Sequence, residues 1–496
     1  MAASRPKTSR HTEVERKFDV VESTVSPSFE GLSAVARVER SPSQHLEAVY
    51  FDTPDHDLAA RHITLRRRTG GTDAGWHLKL PAGPDTRTEV RAPLDDSVDD
   101  VVPDSLKDVV LAIVRDRPLG PVARISTERT VDVLYDAAGS PLAEFSDDSV
   151  NASAGEDENQ QWREWELELA EGGSASGDLL DRLANRLMDA GATPAGHGSK
   201  LARVLARESA DEKTSKRATD PIHEAVAEQV HQLVEWDRAV RADVYDSVHQ
   251  MRVTTRKIRS LLQSAEGAFG ISDDAWVLDE LRQLAAVLGV ARDAEVLAER
   301  YEKALVELPD ELVRGPIRKR LVDGAKRRYR SGLRRSLIAM RSDRYFRLLD
   351  ALDGLVAAEP PTAAAGDESV TVTIDSAYKR VRKAAKRASA AAHDDRDEAL
   401  HRIRKGAKRI RYTAAATGAD KVSYRAKNIQ SLLGDHQDSV VSRTHLSQQA
   451  EAAHAAGEDT FTYGLLYARE DDLAIDARRQ LDGALKKLDK SVRKAR

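Results

Sequence analysis

The stretch "HTEVERKFDV", residues 11–20, sets Glu13, Glu15 and Lys17 at every second position. In an extended chain alternate side chains point the same way, so these three share one face and Val14 and Phe18 the other. A strand with one charged and one apolar face separates two environments. Neighbouring carboxylates repel each other, which either a solvated surface or a site for a cation accommodates.

The same parity runs through the strands that follow. Short alternating runs stand at "HLEAVYFDT" (45–53), "ITLRRR" (63–68), "WHLKLP" (76–81), "TRTEVRAPL" (86–94), "ARISTERTVDVLYD" (123–136), "PLAEFSDDSV" (141–150) and "EWELEL" (164–169). Turn signals such as Thr69-Gly70-Gly71 separate them. Arg66 and Arg68 share a face, as do His77 and Lys79, Arg87 with Glu89 and Arg91, and Glu164 with Glu166 and Glu168. The opposite faces carry Leu65, Leu78, Trp165 and Leu167. One such strand reads as a solvent-facing edge. Five of them weaken that reading and suggest an antiparallel sheet that curls or closes, its charged faces either outside or, if they point inward, lining a lumen. Unpaired charges in a lumen are costly, so ions are the natural partners: cations for phosphate oxygens, carboxylates for Mg²⁺ or Mn²⁺. No Gly-rich phosphate loop is present, so side chains would hold the anion. A helical stripe follows at Leu179, Leu180, Leu183 and Leu187.

Beyond residue 220 the texture changes to Ala/Leu/Arg helices, about eight or more, which suit antiparallel bundles. The charge changes as well. Residues 1–210 hold 25 Lys+Arg against 37 Asp+Glu, and residues 211–496 hold 52 against 45. "VHQMRVTTRKIRSLL" (248–262) and "LHRIRKGAKRIRYTA" (400–414) both follow His-x-x-Arg-x-x-x-Arg/Lys-x-x-Arg. The first ladder is His249, Arg252, Arg256 and Arg259; the second is His401, Arg404, Lys408 and Arg411. Each falls within an arc of about 80°, beside an apolar stripe of Met251 and Ile258 or Ile403 and Ile410. "LGVARD" (288–293) and "LGDHQD" (433–438) repeat the correspondence downstream, so the unit is duplicated. A fixed row of cations suits a polyanion with regularly spaced charge. Aromatic content of 5% without a stacking platform argues against single-stranded nucleic acid.

There is no cysteine, which excludes disulfides and thiolate chemistry. The basic start "MAASRPKTSR" lacks the apolar core of a signal peptide, and no 18-residue apolar run follows. The reading is a cytoplasmic protein with no membrane partner, with polyphosphate granules as the address considered.

The two ladders and their Leu-Gly-…-Asp segments resemble the CHAD domain. That resemblance implies a pair of four-helix bundles binding inorganic polyphosphate through the ladder residues. The strand half, with Glu13-x-Glu15-x-Lys17, "YFDT", "LRRR", "LKLP", "EWELEL" and "HGSKLARVL" (197–205) in order, resembles the CYTH superfamily of triphosphate tunnel metalloenzymes. It implies an eight-stranded antiparallel β-tunnel with flanking helices that hydrolyses or cyclises triphosphates with Mg²⁺ or Mn²⁺. Catalytic roles then fall to Glu13, Glu15, Lys17 and Lys79. Phosphate-binding roles fall to Lys17, Arg66, Arg68, Lys79, Arg87, Arg91, Arg129 and Lys200. Metal-binding roles fall to Glu13, Glu15, Glu166 and Glu168, with Asp148 and Glu164 beside them.

The expected chain is thus α+β and multidomain. It has a disordered start (1–10), a tunnel domain (11–207), a linker (208–220) and a duplicated helical domain (221–496, as 221–357 and 369–496). The pairing is similar to bacterial inorganic triphosphatases, with inorganic tripolyphosphate the favoured substrate. A polyphosphate-targeting protein with little catalysis, an adenylate cyclase and an organic triphosphatase stay open as alternatives.

Overall fold

The computed structural model describes residues 8–94, 101–154, 159–170, 177–205, 221–264, 269, 275–358, 374–390, 396–416 and 418–495. Residues 1–7 of the expected disordered start, the 208–220 linker, and positions 359–368 between the two expected helical repeats lie outside the described residues. The chain forms two compact units. One comprises Met1–Arg282 and Leu337–Pro360, the other Gln283–Ser336 and Pro361–Arg496.

The strands are β1 (Ser9–Val20), β2 (Arg37–Arg40), β3 (Gln44–Asp52), β4 (Thr64–Thr69), β5 (Gly75–Gly83), β6 (Thr86–Ala92), β7 (Gly120–Tyr135), β8 (Pro141–Ser153), β9 (Gln160–Leu169) and β10 (Thr193–Pro194). Helix α1 (Asp104–Val114) interrupts them; α2 (Gly177–Asp189) and α3 (Lys200–Leu205) follow. The helical half comprises α4 (Pro221–Arg241), α5 (Ser247–Ser264), α6 (Trp276–Val306), α7 (Gly324–Ala339), α8 (Asp343–Ala357), α9 (Ile374–Ala390), α10 (Arg396–Ala416), α11 (Asp420–Ala455) and α12 (Phe461–Lys494).

The antiparallel order β1-β6-β5-β4-β3-β7-β8-β9 returns to β1, so the sheet closes into an eight-stranded barrel; β2 adds to β7 and β10 to β1. Closure decides the question that the alternating strands raise. The apolar faces point outward and are covered by helices. Phe18, Phe145, Trp165 and Leu167 form a buried layer with Leu179, Leu180, Leu183 and Leu187 of α2. Inside, one stretch of the lumen is apolar: Ala48, Tyr50, Ile125, Val150 and Ala152 pack against Leu201 and Val204 of α3. The turn from β4 to β5 needs glycine at Gly70, where φ is +79° and an added Cβ would sit 2.2 Å from the His45 carbonyl oxygen.

Trp165 has no exposed surface, and its ring lies edge-on to Phe145 at 5.4 Å. Trp165→Ala is expected to destabilise the barrel by about 3–5 kcal/mol, read as an earlier urea transition of the β8–β9 amides in hydrogen exchange.

In the helical half, α9–α12 form a four-helix bundle around Val381, Ile403, Ala407, Ile410, Ile429, Leu433 and Leu488. In the first unit α4 packs on α5, α8 and the barrel's α1. Among the described residues no helix is long and apolar enough to cross a membrane.

Candidate functional site

The residues singled out by strand parity meet inside the barrel. Strand pairing sets Lys17 opposite Glu166 and Glu15 opposite Glu168 across β1 and β9, and Arg129 opposite Asp148 across β7 and β8. It also sets Lys79 opposite Glu89 across β5 and β6. Cross-strand partners point to the same side of a sheet, and the ion pairs follow.

Lys17 lies 3.1 Å from Glu15 and also pairs with Glu166. Lys79 reaches Glu13 at 2.5 Å, and Arg87 reaches Glu15 at 3.1 Å. Arg91 pairs with Glu89 and lies 3.6 Å from Glu13. Arg129 grips Asp148 with two hydrogen bonds, of 2.7 and 2.5 Å, and Glu166 with one of 2.6 Å. Arg66 donates to the Tyr50 hydroxyl at 3.3 Å, and buried Arg68 pairs with Asp73. Seven carboxylates (Glu13, Glu15, Glu89, Asp148, Glu164, Glu166 and Glu168) thus share the lumen with eight cations (Lys17, Arg66, Arg68, Lys79, Arg87, Arg91, Arg129 and Lys200).

The carboxylates divide into groups. Among the described residues, Asp148, Glu164 and Glu166 place one oxygen each within 4.8 Å of the others. The Lys200 ammonium stands among them, 2.8 Å from Asp148, 2.7 Å from Glu164 and 2.8 Å from Glu166. An all-oxygen set of this size fits a hard divalent cation. The position is already occupied by positive charge, so a metal there requires Lys200 to turn toward an anion. Glu13, Glu15 and Glu168 face Lys17, Lys79 and Arg87 instead. Asp148 and Glu164, secondary in the sequence reading, therefore belong to the tightest acidic group.

Burial and charge set the protonation states. Burial opposes ionisation of Glu15, but Lys17 and then Lys79 outweigh it and its carboxyl drops to about 2. Burial likewise opposes ionisation of Glu166, and Lys17, Lys200 and Arg129 hold it well below the carboxylate range. Glu13 is pushed up by burial, against the pull of Lys79, and shares a hydrogen bond with Glu89. Glu168 is pushed up to about 7, first by burial and then by the charges of Glu13, Glu15 and Glu166. Arg68 falls to about 9 through burial and the nearby Arg66 and Arg129.

A raised carboxyl favours the folded protein only while protonated. The stability Glu168 contributes is complete below about 4.5 and is lost as pH climbs through about 7. Glu168→Gln is expected to flatten that loss, by up to about 2 kcal/mol. Melting of the barrel in chelator at pH 5 and pH 8 measures it.

Sequence reasoning left two lumen residues without a role. Glu89 is 1% exposed and accepts from His77 Nδ1 at 2.9 Å, while His77 Nε2 lies 2.9 Å from the Asp73 carbonyl oxygen. Burial lowers His77 to about 4, against the pull of Glu89, and the ring held between Glu89 and the Asp73 carbonyl orients Glu89. The parity of 87, 89 and 91 already placed Glu89 on the charged face. A half-open cavity of about 1330 Å³ adjoins Glu15, Lys17 and Arg87, walled by the loop after β3 and by residues 194–199. Arg87 also donates to the Gly198 carbonyl oxygen.

The two cationic ladders lie in different units. On α5, Met251 and Ile258 are buried, His249, Arg252 and Arg259 half-buried, and Arg256 exposed. On α10, Ile403 and Ile410 are buried, Arg404, Lys408 and Arg411 half-buried, and His401 exposed. Arg404 lies along α11, where a Cβ on Gly434 would come within 3.4 Å of its guanidinium. Asp438, one turn on, is pushed up by burial, although Arg404 and Arg300 pull it down; Asp435 and Asp293 push it further up. The final Asp of the second Leu-Gly-…-Asp repeat therefore senses the final Asp of the first.

A barrel with this charged lumen, followed by all-helical sequence with these ladders, defines a two-domain protein of the CYTH–CHAD type. The CYTH domain model matches residues 11–183 and the CHAD domain model residues 224–447. The chain belongs to the same family as the Mycobacterium tuberculosis proteins MT2285 and Rv2226, each 66% identical over 514 aligned positions covering 100% of both chains. Among solved structures it is similar to PptA from Streptomyces chartreusis, 19% identical with a TM-score of 0.44, covering 53% of this chain and 98% of that one. It is also similar to the CHAD domain from the plant Ricinus communis, 24% identical with a TM-score of 0.40, covering 55% of this chain and 96% of that one.

Proposed function

We propose that the tunnel hydrolyses a linear triphosphate, inorganic tripolyphosphate by preference, with Mg²⁺ or Mn²⁺, and that the helical half binds inorganic polyphosphate. The observation that carries the enzymatic reading is the mixed lumen: Asp148, Glu164 and Glu166 lie within 4.8 Å of one another among Lys17, Arg129 and Lys200. A pure anion site has no use for the acids, and a pure cation site none for the bases.

A triphosphate entering the lumen competes for Lys17, Lys79, Arg129 and Lys200, which now neutralise carboxylates. Those carboxylates are then free to hold a divalent ion, so anion and metal bind better together than alone. Asp148, Glu164 and Glu166 would hold the metal, which when bound would supply charge neutralisation and a more acidic water. Lys17, Arg66, Lys79, Arg129 and Lys200 fix the phosphates in line and stabilise the charge that develops on the leaving oxygen. Glu168, opposite Glu15 on the lumen face of β9, would accept the proton of the attacking water. The terminal P–O bond breaks, and phosphate and pyrophosphate leave.

A second reading is an anion-binding tunnel with little turnover, favoured by the Lys200 ammonium, which already fills the acidic group. Phosphate release from tripolyphosphate, ATP and thiamine triphosphate, each with Mg²⁺ and with Mn²⁺, separates the two. Metal-dependent release led by tripolyphosphate supports hydrolysis. Tight binding of all three without release supports the second reading, and cyclic AMP from ATP would point to a cyclase.

A further inference from the structure

The loop between β3 and β4, residues 53–63, is built to keep one shape. Asp52, 1% exposed, accepts hydrogen bonds from the backbone N–H groups of Thr53 at 2.7 Å, Leu58 at 2.9 Å and Ala59 at 2.9 Å. The Thr53 hydroxyl donates to Asp57 and accepts from the Asp57 N–H. Leu58 and Ile63 are buried, and His56 and His62 take positive φ, at 55° and 57°. Asp55, His56, Ala59 and His62 line the cavity that adjoins Lys17 and Arg87.

Two ion pairs hold the loop from outside the barrel wall. Arg117, just past α1, lies 3.1 Å from Asp57, and Asp353 of α8 lies 3.5 Å from Arg61. Asp353 also pairs with Arg115, the residue that ends α1 at a φ of 58°, and Asp350 pairs with the same guanidinium. The Arg115 side chain is 3% exposed, and a guanidinium that deeply buried requires its anions in place. Asp108 of α1 adds a second tie, 3.0 Å from Arg241 of α4 and 2.7 Å from Arg341. Helix α8 is therefore fixed against α1 at the point where Asp353 meets the loop.

We infer that α8, far along the chain in the helical half, serves the tunnel: Asp353 is a positioning residue that, through Arg61, holds the 53–63 loop in the shape that lines the cavity. The inference rests on the reading above, that a triphosphate occupies the tunnel and its adjoining cavity. A loop released from Asp353 samples other shapes, and the apparent affinity for the anion falls by the fraction that remains competent.

The test uses the full-length chain with Arg61→Gln, Asp353→Asn and the double variant; Asp350 still partners Arg115 in each. Tripolyphosphate with Mg²⁺ is titrated calorimetrically, kcat and KM are measured, and hydrogen exchange follows the amides of Leu58 and Ala59. Each single variant is expected to weaken binding about fivefold and raise KM while kcat holds within about twofold. Exchange at the two amides should quicken while β7–β9 stay protected, and the double variant should be no worse than Asp353→Asn alone. Unchanged exchange in the loop, or additive effects in the double variant, overturns the inference. If the wild type binds no triphosphate, the functional reading fails, and exchange in the same three variants still decides whether Asp353 positions the loop.

Discussion

Glu13→Gln/Glu15→Gln is expected to lower the rate of phosphate release from tripolyphosphate by about a hundredfold to a thousandfold, because these two carboxylates aim Lys17, Lys79 and Arg87, which hold the phosphates in line. The amides keep the shape and hydrogen-bonding reach of the carboxylates, so the strand pairing of β1 with β6 and β9 survives. The lost quantity is charge. Glu13 faces Lys79, and Glu15 faces Lys17 and Arg87. Without these acids the lumen is more cationic, so the anion binds no more weakly, and the loss falls on kcat with KM unchanged or lower. That split separates a catalytic carboxylate from a structural one, whose removal would unfold the barrel and raise KM as well. Steady-state kinetics beside far-ultraviolet circular dichroism reads both.

In the helical half, Arg252→Ala/Arg256→Ala/Arg404→Ala/Lys408→Ala is expected to weaken long-chain polyphosphate binding at least about a hundredfold at physiological salt. Each of these side chains lies outside the apolar stripe of Met251, Ile258, Ile403 and Ile410, which stays buried. Helix content should therefore be unchanged. The wild type should lose affinity steeply as salt rises, because bound cations displace condensed counter-ions. The variant's slope should be shallower by about the number of cations removed. Retained affinity with the wild-type slope would move the polyphosphate surface to other residues.

The charged faces of β1, β4, β5, β6 and β9 were legible because a strand's period of two survives any tertiary arrangement. The helix ladders were legible for the same reason at a period near 3.6. Closure was not legible in the same way. Lys17 meets Glu166 across 149 residues, and Lys200 gathers acids from two strands; no local pattern encodes such partners. The division of the six proposed metal ligands followed from that closure. Helix α1 escaped notice because Val109 to Val114 is an unbroken apolar run that hides the helical period. Strands β2 and β10 escaped because four and two residues carry too little alternation. Asp353 and Arg61 are unremarkable in sequence, and their meaning comes from the fold that joins them.

The most direct test of a metal-dependent triphosphatase tunnel is phosphorus NMR of tripolyphosphate incubated with the full-length chain. With Mg²⁺ or Mn²⁺ the expected result is one phosphate and one pyrophosphate per substrate, with none formed in chelator or by Glu13→Gln/Glu15→Gln. No conversion by the wild type, or equal conversion by wild type and variant, would contradict it.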